Sequence, residues 1–446
     1  MTVLTISPGD ARIPQGVADY FWEEAYQRRQ LEGQLLALFR RWGYGDVIPP
    51  MFEYADTLNI GASPRLQQEM YRFLDRDGHT LALRPDMTIP VARLVGARLH
   101  DWPMPQRFCY AGSVFRYTDP QAGRQREFFQ AGVELVGANT PEADAEVLAL
   151  TAHGLEAAGL TDFRLVVGQI QYFRGLLEAL GLTPAQEQAL QQAIDRNSAA
   201  ELNDFLEQTP LPPEQQASVL ALAELSGADV AQVLERAGRY CLNRAMAAAL
   251  DNLRAISQAL DAYGVGSRLY LDLTEIHNLG YYTGITFEVL APQLGFPLAS
   301  GGRYDNLVGA YGHPQPAVGV AIGLDRLLLA RRLQERQSVS SPTRPIPPDL
   351  LVATGGDRGA LAIVQQWREA GLRVAVDVNG RGEEALTMYA RRLGIPRVLT
   401  WTGSGFHVRE TAGDATGQPA FWPAEESFQR GQALLEQPAA HPRGTS

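Results

Sequence analysis

Two ten-residue runs of aromatic and β-branched residues limit the folds open to this chain more than any other feature. They extend from Phe108 to Tyr117 and from Glu127 to Val136, and this composition is typical of β-strands. The residues between them, Thr118-Asp119-Pro120-Gln121-Ala122-Gly123, include several that favour chain reversal. The pattern predicts an antiparallel hairpin with a polar tip.

Helices and further strands are predicted on both sides of the hairpin. Apolar residues recur at helical spacing between Phe21 and Trp42, and Thr140-Pro141 combines a capping hydroxyl with Pro at the first helical position. Residues 181–262 are rich in Ala, Leu, Gln and Glu and predict a helical insertion. The remaining predicted segments are a helix at Leu324–Leu333 and strands at Arg164–Ile170, Tyr270–Leu273, Gly284–Leu290 and Pro316–Ile322.

Composition places the domain boundaries towards the C-terminus. Residues 337–348 combine Ser and Pro without periodicity, which predicts a linker after a core domain of residues 1–336. Alternating strand and helix patterns over residues 349–412 predict a small α/β domain. We expect residues 413–446 to form a weakly structured tail.

Composition also excludes several classes of function. All 39 basic residues are Arg, so neither a Walker A loop nor a Schiff-base lysine is possible. Two distant cysteines and seven scattered histidines predict no disulfide scaffold and no metal site. We expect no cofactor. A net charge of -11 disfavours nucleic acid and anionic membranes, and without a signal peptide or a long apolar run the expected location is the cytoplasm.

Gln130 and Glu134 are the most informative polar pair in the second strand. They lie four residues apart, on one face of an extended strand, within the apolar run Ala131-Gly132-Val133-Leu135. A solvated strand face is one interpretation. We favour a ligand-binding pair, because a buried carboxylate needs a cationic or hydrogen-bond-donating partner.

Five motifs lie in order between about residues 10 and 335, namely Leu83-Arg84-Pro85-Asp86-Met87-Thr88, Phe115-Arg116, Gly123-Arg124-Gln125-Arg126-Glu127-Phe128, Gly301-Gly302-Arg303-Tyr304-Asp305 and Gly323-Leu324-Asp325-Arg326. Together they resemble the catalytic domain of class II histidyl-tRNA synthetases. The resemblance implies an α+β fold with an antiparallel sheet flanked by helices, and a homodimer core formed through Trp42 to Pro50. The closer match is a paralogous family, the regulatory subunits of ATP phosphoribosyltransferase.

The resemblance also implies which residues bind ligands. Guanidinium groups can bind phosphate or carboxylate in bidentate fashion, and the positions matching the family's anion or nucleotide pocket are Arg116, Arg124 and Arg326. The positions matching its histidine site are Asp86, Thr88, Gln130, Glu134, Tyr281 and Tyr282.

One loop departs from the synthetase pattern at the residues that amino-acid activation needs. The family pattern Arg-Gly-Leu-Asp-Tyr-Tyr is replaced by His277-Asn278-Leu279-Gly280-Tyr281-Tyr282. Losing one preorganised donor typically costs about a hundred- to a thousand-fold in rate. Thr118 and Met87 also replace an expected glutamate and an expected glycine. We therefore assign no catalytic residue and expect a regulatory subunit. It would complete a short-form catalytic subunit and mediate feedback inhibition by histidine.

Two alternatives remain open from the sequence. The first is an active histidyl-tRNA synthetase with an unusual loop, and the second is a free histidine sensor or tRNA-binding decoy. The C-terminal domain resembles the family's anticodon-binding domain, yet residues 349–446 carry ten Arg against eleven Asp plus Glu. This balance provides no net positive field for RNA, so we expect no tRNA partner.

Overall fold

The computed structural model describes residues 12–118, 125–196, 198–276, 281–292, 294–335, 347–412 and 420–436. Within these ranges the chain divides into two compact units. The larger unit contains residues 12–19 and 28–335, and the smaller contains residues 20–27 and 347–436, each with the gaps given above. Most of the predicted linker, residues 337–346, lies outside the described residues.

Helices and strands alternate irregularly along the chain. The helices are α1 (Trp22–Arg41), α2 (Ala55–Gly61), α3 (Pro64–Gln68), α4 (Thr88–Leu94), α5 (Pro141–Ala157), α6 (Ile170–Leu180), α7 (Pro184–Asp195), α8 (Ala199–Gln208), α9 (Pro213–Leu222), α10 (Val230–Gly238), α11 (Arg244–Ala262), α12 (Leu324–Gln334), α13 (Arg358–Glu369), α14 (Glu383–Leu393) and α15 (Ala424–Gln432). The strands are β1 (Gly45–Asp46), β2 (Phe52–Tyr54), β3 (Arg72–Leu74), β4 (Thr80–Leu83), β5 (Gln106–Phe115), β6 (Glu127–Val136), β7 (Arg164–Gln169), β8 (Ser226–Gly227), β9 (Leu269–Asp272), β10 (Ile285–Leu290), β11 (Ala299–Arg303), β12 (Ala317–Gly323), β13 (Leu350–Ala353), β14 (Val374–Val376), β15 (Arg397–Trp401), β16 (Gly405–Glu410) and β17 (Ala420–Pro423).

A large, mainly antiparallel sheet forms the centre of the larger unit. Over the described residues its strand order is β1-β5-β6-β12-β11-β10-β7-β9-β8. The β5–β6 hairpin pairs Gln106 with Val136 and Phe115 with Glu127, and β6 then pairs with β12 through Gly319 opposite Glu134. The predicted antiparallel sheet flanked by helices is therefore confirmed.

Helices cover this sheet and bury its apolar residues. Thr140 caps α5 by accepting a hydrogen bond from the Ala143 N–H, as its sequence predicts. Helix α5 packs against α11, and both contribute apolar side chains to the main core, among them Leu148, Leu155 and Leu253. Residues 181–262 contain α7 to α11 and also the two-residue strand β8.

A small sheet of strands β2, β4 and β3 lies in the same unit. The pairing places Tyr54 and Phe73 opposite Leu81, and Phe52 opposite Leu83. Paired residues share a sheet face, so one face of this sheet is apolar. Phe52, Tyr54 and Phe73 are 53%, 54% and 41% exposed.

The smaller unit contains a five-stranded sheet in the order β14-β13-β15-β16-β17 over its described residues. The prediction that residues 413–446 form a weakly structured tail is wrong for residues 420–436, which form β17, α15 and one further helical turn. The buried Trp367 side chain donates a hydrogen bond from Nε1 to the Ser427 carbonyl at 2.9 Å. This tertiary contact stabilises a segment that has little apolar periodicity of its own.

None of the described helices combines the length and the apolar composition that crossing a membrane requires.

Candidate functional site

A pocket of about 320 Å³ lies on the large sheet where the β5–β6 hairpin meets β11 and β12. Its wall brings together most of the residues that the sequence assigned to histidine binding. We call it the acceptor pocket, because Glu69, Asp86 and Gln130 supply carboxylate and amide oxygens to its wall. It is lined by Gly61, Ser63, Arg65, Leu66, Glu69, Asp86, Thr88, Arg116, Gln130, Tyr281, Tyr282, Ser300, Gly301, Tyr304, Gly319, Val320 and Ala321.

Asp86 is held in the turn between β4 and α4. Its Oδ1 accepts the Ile89 N–H at 2.9 Å, which satisfies one of the free N–H groups at the start of the helix. Burial raises the pKa of Asp86, while the Arg116 guanidinium and backbone hydrogen bonds oppose that rise. The carboxylate is therefore fixed in position at the pocket wall.

Glu134 lies in the centre of β6 and has no exposed surface. It is not among the lining residues, but its Oε1 accepts the Tyr110 hydroxyl at 3.0 Å and its Oε2 accepts the hydroxyl of Tyr304, which does line the pocket. Burial raises the pKa of Glu134 to about 7, although the hydroxyls of Tyr304, Thr88 and Tyr110 act in the opposite direction.

Gly319 makes room for this carboxylate. It pairs with Glu134 across the β6–β12 register, and a Cβ atom there would lie 1.7 Å from Glu134 Oε2 and 2.7 Å from the Val133 carbonyl oxygen. No side chain fits at such distances. Glycine at position 319 is therefore a requirement of the site.

Gln130 also lies on β6, four residues before Glu134 and on the same face of the strand. Its side chain is only 8% exposed, and its Oε1 has no hydrogen-bond partner among the described residues. A buried acceptor without a partner costs about 1–3 kcal/mol. The unpaired amide oxygen is available to accept a hydrogen bond at the pocket wall.

Aromatic rings form the neighbouring part of the wall. Tyr281 stacks on Tyr304 with centroids 5.7 Å apart, and Tyr282 meets Tyr281 edge to face at 5.0 Å. A flat, weakly polar group can pack against such rings while its N–H groups reach the acceptors. The loop that distinguishes this chain from the synthetase pattern, residues 277–280, lies outside the described residues.

Of the three predicted anion-binding arginines, the structure describes Arg116 and Arg326, and of these two only Arg116 lines the pocket. Arg116 lines the pocket and donates from Nε to the Pro85 carbonyl at 2.8 Å. Arg326 lies outside the pocket wall, where it donates to the Pro297 carbonyl at 2.6 Å and stacks on Phe296. Arg124 lies outside the described residues. The described part of the anion pocket therefore rests on Arg116.

Sequence reasoning gave no role to several residues at the pocket. The segment Ser63 to Glu69 contributes four of them. The sequence of this segment predicts only the start of a helix: Pro64 follows Ser63, whose side chain accepts a hydrogen bond from the Leu66 N–H. Tyr304 lies within the motif that begins at Gly301, but its hydrogen bond to Glu134 depends on how the strands pair. A motif alone does not reveal that contact.

Three potential metal ligands also gather in the turn between β3 and β4, namely Asp75, Asp77 and His79. Asp75 already accepts the N–H groups of Asp77 and His79 through Oδ1, and its Oδ2 lies 3.1 Å from His79 Nδ1. The hydrogen bonds of the turn explain this cluster without a metal ion.

Comparison with known proteins identifies the family. The profile of the histidyl-tRNA synthetase family matches residues 16–327. Proteins named ATP phosphoribosyltransferase regulatory subunit are 40% identical in Desulforamulus reducens, over 88% of this chain and 96% of the relative, and 39% identical in Moorella thermoacetica, over 88% and 98%. This chain belongs to the family of ATP phosphoribosyltransferase regulatory subunits. Both relatives are named as regulatory subunits, which supports a non-catalytic role for this chain.

Solved structures agree with this assignment. An ATP phosphoribosyltransferase regulatory subunit/histidyl-tRNA synthetase from Bacillus halodurans superposes with a TM-score of 0.77 at 27% identity, over 88% of this chain and 99% of that one. A histidyl-tRNA synthetase from Nostoc sp. PCC 7120 gives 0.75 at 22% identity, over 94% and 99%. The second likeness establishes that the regulatory-subunit family and the synthetases share the class II fold.

Proposed function

We propose that this chain regulates ATP phosphoribosyltransferase in histidine biosynthesis. It would assemble in the cytoplasm with a separate short-form catalytic subunit, which joins ATP to phosphoribosyl pyrophosphate, and would make that subunit sensitive to histidine. The observation that supports this proposal most strongly is the convergence of Asp86, Gln130 and the Glu134–Tyr304 pair at one pocket.

The chemistry of the acceptor pocket suits an amino acid with a flat side chain that carries N–H groups. An ammonium group offers three donors, which matches an acceptor-rich wall containing the unpaired Gln130 Oε1. Arg116 supplies a cation for a carboxylate, and Tyr281, Tyr282 and Tyr304 flank the space for an imidazole. Histidine satisfies all of these requirements.

Inhibition would follow from unequal binding of histidine to two arrangements of the complex. A ligand shifts an equilibrium only by the difference in its affinity for the two states. We propose that histidine binds more tightly to the less active arrangement. The pocket needs no catalytic residue for this role.

We further propose that two copies of the chain form the core of the complex. The apolar face of the β2-β4-β3 sheet supports this, because Phe52, Tyr54 and Phe73 are all more than 40% exposed. Ile48 and Met51, 91% and 51% exposed, directly precede the sheet and connect it to the predicted dimer segment, Trp42 to Pro50. Large exposed apolar surfaces of this kind commonly mark protein interfaces.

The test is phosphoribosyl-ATP formation by the short-form catalytic subunit, measured with and without this chain across a histidine titration. We expect activity to depend on the chain and to fall as histidine rises. A rate that is independent of both the chain and histidine would refute the proposal.

The match to the histidyl-tRNA synthetase profile over residues 16–327 favours one alternative, an active synthetase. That function predicts histidine-dependent exchange of pyrophosphate into ATP by the isolated chain. The regulatory proposal predicts no such exchange.

A further inference from the structure

A second cavity, of about 350 Å³, lies within the helical insertion of the larger unit. It forms where α7, α8 and α9 approach the segment that follows β9. We call it the insertion cavity. It is lined by Ala193, Ile194, Ser198, Ala199, Leu202, Asn203, Leu220, Ala223, Glu224 and Thr274.

The inner wall of the insertion cavity is aliphatic. Ala193, Ile194 and Leu202 are only 2%, 6% and 5% exposed, whereas Leu220, from α9, is 46% exposed. A hydrocarbon group placed in the cavity would leave water and would cover the exposed part of Leu220, and burial of apolar surface stabilises a complex by about 25 cal/mol per Å². The body of a ligand here is therefore apolar.

The charge in the described wall of the insertion cavity is negative. Among the described residues of the lining, Glu224 is the only charged one and none is an arginine. Glu224 Oε2 lies 3.1 Å from Arg236 Nη2 in a solvent-exposed pair, which screening and competition with water keep weak. The Asn203 amide and the Ser198 hydroxyl add neutral polar groups. An organic cation is therefore favoured over an anion.

From these walls we propose that the insertion cavity binds a small primary amine with an aliphatic or aromatic body. The volume lies within the range of small-molecule sites, in which an apolar wall carries a few polar groups. The ammonium group would lie towards Glu224, and the body would pack on Ile194 and Leu202. Thr274, just after β9, would contact the ligand from the side of the large sheet.

The test uses three probes of one shape: phenethylamine, the neutral phenethyl alcohol and the anionic hydrocinnamate. Each is titrated into the full chain and followed by saturation-transfer NMR and calorimetry. Histidine is present at high concentration, because phenethylamine could otherwise compete for the acceptor pocket. We expect saturable binding of the amine, and binding of hydrocinnamate at least tenfold weaker.

Two variants of one helix locate the site. Ala199 and Ala200 are both exposed residues of α8, but only Ala199 lines the cavity. Ala199→Leu fills the cavity and should weaken amine binding at least tenfold, while Ala200→Leu should bind as the wild type does. Glu224→Gln should bring the affinities for amine and hydrocinnamate to within about threefold of each other.

The proposal is overturned if the three probes bind equally, or if Ala199→Leu binds the amine as tightly as Ala200→Leu. These readouts need neither the catalytic subunit nor histidine inhibition. Failure here would therefore leave the proposed regulatory function standing, and failure of that function would leave the amine site standing.

Discussion

The acceptor pocket and the insertion cavity have similar volumes, about 320 and 350 Å³, but walls of opposite chemistry. The acceptor pocket has carboxylate and amide oxygens in its wall, and its lining comes from β6, β11, β12 and other segments that lie far apart in the sequence. The insertion cavity is mainly aliphatic and is built mostly from helices that are neighbours in sequence. The comparison shows that the polar groups in the wall, rather than its volume, determine which ligand each site can take.

Gly319→Ala should have the largest effect, and it should be confined to the acceptor pocket. The added Cβ would lie 1.7 Å from Glu134 Oε2 and would displace the carboxylate or the strand. We expect histidine binding to weaken more than a hundredfold, and the free energy of unfolding to fall by about 1–3 kcal/mol. Calorimetric titration and urea denaturation measure the two effects.

The matched control for this variant is Gly33→Ala in α1, where an added Cβ meets no atom within 4 Å. It should leave histidine binding unchanged and should slightly stabilise the helix. Normal histidine affinity in Gly319→Ala would show that the Glu134 carboxylate does not depend on this close approach.

Glu134→Gln should weaken ligand binding at the acceptor pocket and leave binding at the insertion cavity unchanged. The amide keeps the size of the side chain and can accept from Tyr110 or Tyr304, but it removes the negative charge that lies behind the hydroxyl of Tyr304 in the pocket wall. A charged hydrogen bond contributes about 1.5–3 kcal/mol, so histidine should bind roughly tenfold to a hundredfold more weakly in calorimetry at pH 8. Phenethylamine binding to the insertion cavity should not change, and a parallel loss at both sites would contradict the comparison.

The buried state of Glu134 also predicts a pH dependence of stability. Its pKa of about 7 in the folded chain lies above the ordinary value of 4.5, so between these values the folded state binds more protons than the unfolded state. The contribution of Glu134 to the free energy of unfolding is fully present below pH 4.5 and is lost as pH rises through 7.

Between pH 6 and 8 this group should lower the free energy of unfolding by about 1.4 kcal/mol. The measurement is urea denaturation of wild type and Glu134→Gln at both pH values. Relative to the wild type, the free energy of unfolding of Glu134→Gln should increase by that amount between pH 6 and pH 8. A constant difference between the two proteins would mean that Glu134 titrates in the ordinary range.

Arg65→Ala should have the smallest effect. Its side chain lies in the lining of the acceptor pocket but is 75% exposed and pairs with Glu69 at 2.9 Å. Exposed ion pairs contribute little, so histidine affinity in the same calorimetric titration should change less than about threefold. A loss comparable to that of Glu134→Gln would place the ligand at the rim instead of among the buried acceptors.

The local part of this structure could be predicted from the sequence. Aromatic and β-branched runs give the β5–β6 hairpin, and the two-residue strand period places Gln130 and Glu134 on one face. The Thr140-Pro141 start of α5 follows from capping chemistry. Each of these features depends on residues that are close together in the sequence.

The contacts that complete the acceptor pocket depend instead on strand pairing across the sheet. The hydrogen bond from Tyr304 to Glu134 and the fit of Gly319 both require the register of β6 against β12, which no local pattern specifies. Likewise, the hydrogen bond from the buried Trp367 to the Ser427 carbonyl of α15 joins residues 60 positions apart in the sequence. These features therefore needed the structure.

The central claim is that histidine binds in the acceptor pocket. Calorimetric titration of histidine into the isolated chain at pH 8, with Gly319→Ala and Gly33→Ala alongside, tests it most directly. We predict saturable binding by the wild type and by Gly33→Ala, and its loss in Gly319→Ala. Absence of binding by the wild type at millimolar histidine, or equal binding by all three proteins, would contradict the account.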